Sequence, residues 1–151
     1  MPVLGLDHVN VRSTDPARTA EFFREVLGMR VGPPLGRAEM AGRGGWVYDS
    51  EDRAIVHIGG ADTPYPTDAE APFKPAHGGG AVHHVALSCS DFDGVRDRLQ
   101  ALSLAFTEND LSRFGLRQLF VTEPNGILLE LNFSTQASVP IPKFAGACGE
   151  L

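Results

Sequence analysis

Cysteine is scarce in this chain, which has only two among its 151 residues. Cys89 and Cys148 share no spacing motif, and neither belongs to a Cys-x-x-Cys pair. Disulfide frameworks depend on several closely spaced cysteines in an oxidising compartment. The shortage argues against such a framework, so we expect a reducing, cytoplasmic location and treat both residues as ordinary thiols.

Basic clusters and long hydrophobic runs are also missing. The formal net charge is −6 and no run of Lys and Arg occurs, whereas nucleic acids and anionic membranes attract clustered positive charge. No apolar stretch approaches the roughly 20 residues that span a bilayer, and the first residues lack the pattern of a signal peptide. We therefore expect neither a nucleic-acid nor a membrane partner. With 42% hydrophobic and 21% charged residues, the composition is typical of an ordinary folded domain.

An internal repeat is the first positive feature of the sequence. The stretch LDHVNVRSTD (6–15) aligns with VHHVALSCSD (82–91), so that His8 falls on His84. Both copies alternate apolar and polar residues and then reach a cluster of Ser, Thr and Asp. This pattern predicts a strand that leads into the N-cap of a helix, once in each copy.

A helix and three short strands are predicted after each first strand. The first helix is expected from an N-cap at Asp15 to Gly28, and the second from Asp91 to about Leu102, which closes its apolar stripe. The Pro and Asn-Gly of residues 123–126 predict a hairpin turn. Short apolar runs predict the remaining strands at 29–32, 45–49, 54–58, 105–109, 117–122 and 127–133. Each half is therefore predicted to be a β-α-β-β-β module.

The repeat also predicts how the chain is divided. We expect a single domain over residues 1–133, made of module one (4–58) and module two (81–133). A Gly- and Pro-rich connector (59–80) joins the modules, and a tail without clear periodicity (134–151) follows them.

Two ionisable residues interrupt apolar strands at corresponding places in the repeat. His57 lies within AIVHIGG, and Glu130 lies within GILLELNF. Burying an imidazole or a carboxylate without a partner costs several kcal/mol, so each residue needs one. His8 and His84 precede them by nearly equal spacings, on the first strand of each module. The four side chains are therefore candidate metal ligands at equivalent positions of one repeated unit.

The stretches LDHVNV, FFREVLGM, HHVAL and LFVTEPNGILLEL resemble the vicinal oxygen chelate superfamily, which includes glyoxalase I, methylmalonyl-CoA epimerase, extradiol dioxygenases and fosfomycin-resistance enzymes. The resemblance covers about residues 4–133. It implies an α+β fold in which two βαβββ modules form a curled mixed-sheet cup around a divalent metal. It also implies ligands on the first and last strands of the modules. The implied ligand set is His8, His57, His84 and Glu130.

The resemblance implies a metal-dependent enzyme of the isomerase, epimerase or lyase kind, acting on a small oxygen-chelating substrate. The metal would be Fe, Ni, Zn, Co or Mn, with Glu130 and His57 as candidates for acid–base catalysis. Where glyoxalase I commonly has a Glu on the last strand of each module, this chain has one Glu and one His. His57 is accordingly either a fourth ligand or an acid–base group beside His8, His84 and Glu130.

Two other functions remain open at this stage. His8, His84 and Glu130 form the 2-His-1-carboxylate set of Fe(II) extradiol dioxygenases, although Phe120 occupies the position where those enzymes usually have a Tyr. The third alternative is a non-catalytic drug-binding protein of the bleomycin-resistance type. The resemblance also implies a homodimer.

Further residues are candidates for the wall of the substrate pocket, because they lie on the same strand faces as the ligands or on neighbouring strands. His83, adjacent to His84, is expected to point to the opposite face. The Gly-rich stretch 32–45 is a candidate lid. The candidate substrate contacts are Asn10, Trp46, Tyr48, Ser88, Gln118 and Phe120.

Overall fold

The computed structural model describes residues 5–33, 44–69 and 72–135. Its described residues fall into two compact units. Unit 1 contains those up to Gly80 together with Glu123–Gly126, and unit 2 contains Ala81–Thr122 and the residues from Ile127 onward. The division between the units thus lies at the end of the predicted connector. The single domain of two modules stays a prediction.

Each unit is built on one four-stranded sheet. In unit 1 the strand order is β1-β4-β3-β2, with β1 and β4 parallel and the other neighbours antiparallel. Unit 2 repeats this arrangement as β5-β8-β7-β6. The predicted α+β fold with paired βαβββ modules is confirmed. The elements are β1 (Val9–Ser13), α1 (Pro16–Glu21), a π-helical segment (Phe22–Val26), β2 (Arg30–Gly32), β3 (Gly44–Tyr48), β4 (Ala54–Gly60), β5 (His84–Cys89), α2 (Phe92–Ala101), β6 (Phe106–Leu111), a 3-10 turn (Ser112–Phe114), β7 (Leu116–Thr122) and β8 (Leu128–Ser134).

Both helices begin at the predicted aspartates. The Asp15 carboxylate accepts a hydrogen bond from the backbone N–H of Arg18 at 3.0 Å, and Asp91 accepts one from Gly94 at 3.2 Å. Each bond satisfies a backbone donor that has no partner within the helix. Gly28 follows the first helix with a φ of +66°, the left-handed conformation in which glycine ends a helix most readily.

One face of each sheet is covered by its helix and forms the core of the unit. In the π-helical segment that follows α1, Phe22 and Phe23 both point into the core and are 7% and 1% exposed. The remaining buried apolar residues are Val11, Ala20, Val26, Val47, Val56 and Ile58 in unit 1, and Val95, Leu99, Leu119, Val121, Leu129, Leu131 and Phe133 in unit 2.

Several predicted boundaries are wrong by one or two residues. Leu102 lies beyond the end of α2 and is 49% exposed, so it does not close the apolar stripe. The last strand of each module is longer than expected, since β4 runs to Gly60 and β8 to Ser134. Most of the candidate lid and the tail after residue 135 lie outside the described residues.

No helix in the described part of the chain is long and apolar enough to cross a bilayer.

The start of β3 allows a test of the unit 1 sheet. Gly44 has a φ of +97°, and a Cβ added there would overlap the backbone carbonyl of Ile58. We expect Gly44→Ala to lower the free energy of unfolding by at least about 2 kcal/mol, because left-handed strain alone costs about 1–3 kcal/mol. Urea denaturation measures the change. Gly5→Ala is the matched control, since nothing lies within 4 Å of its added Cβ, and an equal loss in both variants would contradict the account.

Candidate metal and substrate site

The parallel pairing of β1 with β4 brings two of the predicted ligands together in unit 1. His57 pairs with Asn10 in the register of these strands. Its neighbours Val56 and Ile58 point into the core, so the His57 ring lies on the opposite face of the sheet. His8 directly precedes β1, and the centroids of the two imidazoles are 6.2 Å apart. Unit 1 therefore contributes one pair of imidazoles.

Trp46 supports this pair from the neighbouring strand β3. It is opposite His57 in the register and stacks on the His57 ring, with centroids 4.3 Å apart and planes at 10°. The His8 ring lies against the same indole in a T-shaped arrangement, with centroids 4.8 Å apart and planes at 75°. The predicted substrate residue Trp46 therefore lies on the ligand face, where it restricts both imidazoles.

The polar partners of His57 are an amide and a phenol. Asn10 Nδ2 donates a hydrogen bond to His57 Nδ1 at 2.7 Å, and the Tyr65 hydroxyl lies 3.5 Å from the same nitrogen. Desolvation by burial lowers the pKa of His57, and the neighbouring His8 and Arg12 lower it further. The neutral imidazole that metal binding or proton abstraction requires is thus favoured.

Tyr65 was not found by the sequence reasoning, because it lies in the connector, where no periodicity indicates a contact. Arg12 holds this part of the connector on the sheet. Its guanidinium donates to the carbonyls of Ala61 at 2.9 Å and Thr63 at 3.1 Å and lies 4.3 Å from the centroid of the Tyr65 ring. Gly59 makes room for the phenol, since a Cβ there would overlap the Tyr65 hydroxyl.

Unit 2 brings the other two predicted ligands together in the same way. His84 Nε2 lies 3.3 Å from Glu130 Oε2, with the side chains 39% and 16% exposed. Glu130 pairs with Ala86 in the parallel ladder, the position that His57 has relative to Asn10 in unit 1. His57 and Glu130 therefore occupy equivalent positions in the two sheets.

A network of amides surrounds the second Glu130 oxygen. Gln118 Nε2 and Asn132 Nδ2 each donate to Glu130 Oε1 at 2.9 Å. Gln118 Nε2 also donates to Asn132 Oδ1 at 2.9 Å, and Gln118 Oε1 accepts from Asn109 at 2.7 Å. Neither Asn109 nor Asn132 was singled out from the sequence, because their contacts depend on strand register.

The remaining histidines of the site each have a polar neighbour through Nδ1. His8 Nδ1 lies 2.6 Å from Asp7 Oδ1. The Nδ1 atoms of His83 and His84 are 3.0 Å apart, so the expectation that His83 points away from His84 is wrong. His83 precedes β5, and strand alternation does not constrain a residue outside the strand.

The other predicted substrate contacts are on these same sheet faces. Ser88 is exposed on β5 and pairs with Asn132. Phe120 pairs with Glu130 across β7 and β8. Tyr48 is partly covered by the guanidinium of Arg30, which lies 3.6 Å from its ring centroid. Their contact with a substrate stays a prediction.

Across the part of the chain that the structure describes, no group of three or more His, Cys, Asp and Glu side chains is arranged to hold a metal ion. What the structure shows is two pairs, one in each unit. His8 lies near His57, and His84 lies beside Glu130.

The matches to known proteins are consistent with the observed fold. The family model described as Glyoxalase/Bleomycin resistance protein/Dioxygenase superfamily matches residues 5–131. No curated protein matches the chain significantly.

Solved structures show the same fold at low sequence identity. A glyoxalase/dioxygenase from Nostoc punctiforme is 17% identical with a TM-score of 0.64, covering 89% of this chain and 94% of that chain. Lactoylglutathione lyase from Agrobacterium tumefaciens is 16% identical with a TM-score of 0.61, covering 92% and 100%. A mutant fosfomycin resistance protein from Listeria monocytogenes, complexed with Mn(II) and 1S,2S-dihydroxypropylphosphonic acid, is 15% identical with a TM-score of 0.61, covering 88% and 94%.

The lowered pKa of His57 has a measurable consequence for stability. At pH values below the ordinary histidine pKa of 6.5, the unfolded chain binds a proton at His57 more readily than the folded chain does. The free energy of unfolding therefore decreases as the pH falls. We expect the His57→Gln variant to lose less stability than the wild type between pH 7 and pH 5, measured by urea denaturation in chelator. In the NMR spectrum, the His57 ring proton of the wild type should titrate below pH 6.5, and a midpoint above that value would contradict the burial argument.

Proposed function

The chain belongs to the glyoxalase/bleomycin resistance protein/dioxygenase superfamily, and we propose that it is a metal-dependent enzyme of the isomerase or lyase type. Its substrate would be a small molecule that presents two neighbouring oxygens. The observation that carries the proposal is the pairing of His8 with His57 and of His84 with Glu130 at equivalent positions of two sheets. A purely structural role would not require this arrangement of ionisable groups to recur in both sheets.

The four side chains fit a divalent ion by their chemistry. Imidazole nitrogen and carboxylate oxygen are the donors that Fe, Ni, Zn, Co and Mn accept in proteins. Metal-binding residues usually have a second partner that orients them. Here Asp7 is beside His8 and Asn10 beside His57. The fosfomycin resistance protein of similar fold binds Mn(II), which supports the same class of metal for this chain.

A divalent ion bound by these residues would act as a Lewis acid towards the two substrate oxygens. The chain itself would supply the proton transfer. Burial lowers the pKa of His57. Once the Asn10 amide turns to accept from Nδ1–H, the free Nε2 could accept a proton from a carbon acid and return it at another atom. Trp46 is opposite His57 in its ladder and stacks on that ring, so it would form an apolar wall beside the proton-transferring group.

The Asn10 contact keeps an acid–base role for His57 open beside the role of ligand. When Asn10 Nδ2 donates to Nδ1, the neutral ring carries its proton on Nε2. Rotating the amide would present Oδ1 as an acceptor for Nδ1–H, and the ring in this tautomer has its lone pair on Nε2, free for a metal or a proton. In the first state the ligand set would be His8, His84 and Glu130, which is also the set of Fe(II) dioxygenases. A dioxygenase is therefore the second candidate.

Metal titration tests the ligand assignment directly. Trp46 is the only tryptophan and stacks on His57, so binding of Mn(II) or Co(II) at the proposed ligands should quench its fluorescence. We expect about one ion per chain in a homodimer, and at least about 100-fold weaker binding in His8→Ala and Glu130→Ala. Because Glu130 belongs to the other unit, loss of quenching in Glu130→Ala indicates that both pairs bind one ion. His77→Ala, an exposed connector residue, is the control. Full binding in His8→Ala and Glu130→Ala would refute the ligand set.

His57→Ala separates its two roles. If His57 is a ligand, the variant binds metal at least about ten-fold more weakly; if it is the acid–base group, metal affinity is retained and turnover is lost. Turnover is followed as exchange of substrate C–H for deuterium in D₂O over a panel of 2-oxo compounds, which proton abstraction predicts. Oxygen consumption with catechols, and no exchange, would instead identify the dioxygenase. Tight ligand binding without either reaction would indicate the drug-binding alternative.

A further inference from the structure

The amides around Glu130 have a more specific arrangement than the ligand assignment requires. In the register of unit 2, Asn109, Gln118, Asn132 and Ser88 lie side by side on the four strands β6, β7, β8 and β5. They form a polar row across the sheet, immediately next to the row that contains Glu130. A row of amides on a sheet face gives many hydrogen bonds whose directions are set by the backbone register.

Gln118 is the central member of this row and is almost completely buried, at 8% exposed. Both of its N–H donors are used, one by Glu130 Oε1 and one by Asn132 Oδ1, each at 2.9 Å. Its carbonyl accepts from Asn109 at 2.7 Å. A buried amide with every group engaged has one favoured orientation, because turning it would break all three bonds.

As a result, the two carboxylate oxygens of Glu130 have different partners and are not equivalent. Oε1 accepts two amide N–H bonds, from Gln118 and from Asn132. Oε2 instead lies 3.3 Å from His84 Nε2, the other proposed ligand of this unit. The carboxylate therefore cannot rotate to present both oxygens without giving up the two donors to Oε1.

We propose that Gln118, together with Asn132, is a positioning residue that commits Glu130 to bind the metal through Oε2 alone. This inference rests on the proposed function, because it assigns a role toward the same ion. It differs from the earlier expectation for Gln118, in which its amide would contact the substrate. In this account the amide has no free donor for a substrate, and its effect on the reaction passes through Glu130.

The test compares Gln118→Met, which keeps the length of the side chain and removes its hydrogen bonds, with the wild type. We expect the dissociation constant for Co(II) to rise by about 10- to 100-fold, as for other residues that orient metal ligands. The visible absorption bands of the Co(II) protein at saturation should also change, since the released carboxylate can turn. Asn132→Ala removes one of the two donors to Oε1 and should show a smaller effect of the same sign. Gln100→Met, on the exposed side of α2, is the matched control.

A double-variant cycle separates positioning from a general structural effect. In the Glu130→Gln background, the positioning role predicts that Gln118→Met causes no further loss of Co(II) affinity. The same fold-loss in both backgrounds, or unchanged affinity and spectrum in Gln118→Met, would overturn the proposal. If Gln118→Met does not fold, Asn132→Ala decides the outcome by the same two measurements.

The metal-free protein distinguishes a failure of this inference from a failure of the proposed function. In chelator, Gln118→Met and Glu130→Gln should have non-additive effects on the free energy of unfolding, because the two side chains share a hydrogen bond. If this coupling is found but the wild-type protein binds no metal, the enzyme proposal is refuted and the Gln118–Glu130 contact stands. Metal binding without coupling would refute the positioning role and leave the enzyme proposal standing.

Discussion

The parallel pairing of the first and last strand in each module is the constraint on which the site depends. Because β1 pairs with β4 and β5 pairs with β8, residues far apart in the chain become neighbours in the centre of each ladder. His57 is placed beside Asn10, and Glu130 beside Ala86. A shift of one residue in either register would turn these side chains into the core. The buried residues on either side of them, such as Val56 and Ile58, oppose such a shift by the apolar surface that it would expose.

The two modules hold their central ionisable residue by different means. In unit 2, the position two residues after Glu130 is Asn132, paired with Gln118, and both amides bind the carboxylate. The equivalent pair in unit 1 is Gly59 with Gly44, which has no side chains to donate. There Asn10 on β1 donates to His57 at 2.7 Å, and the connector adds Tyr65, which occupies the space that Gly59 leaves free. The repeat thus keeps the position of the ionisable group and varies how it is supported.

Local pattern predicted most of the fold, because each signal acts within a few residues. Alternation of apolar and polar residues predicted the strands, and Asp15 and Asp91 marked the helix starts. The π-helical turn at Phe22 was not predicted, since its two adjacent inward aromatic residues also fit an ordinary helix. The role of Tyr65 was missed because a connector contact depends on how the chain folds back.

The candidate site was predictable only as far as strand faces determine it. The repeat placed His84 on the first strand and Glu130 on the last strand of module two. The structure shows that these strands pair and that the two side chains are 3.3 Å apart. The hydrogen bonds of Gln118 to Glu130 and Asn132 connect neighbouring strands, so they depend on an exact register that no single strand specifies. The central proposal is that these ionisable residues bind a divalent metal ion. The most direct measurement is the metal content of untagged protein purified anaerobically without chelator. The account predicts about one equivalent of a divalent transition metal per chain, with iron pointing to the dioxygenase and nickel, cobalt, zinc or manganese to the isomerase or lyase. Protein that contains no metal, and takes up none on titration, would contradict it.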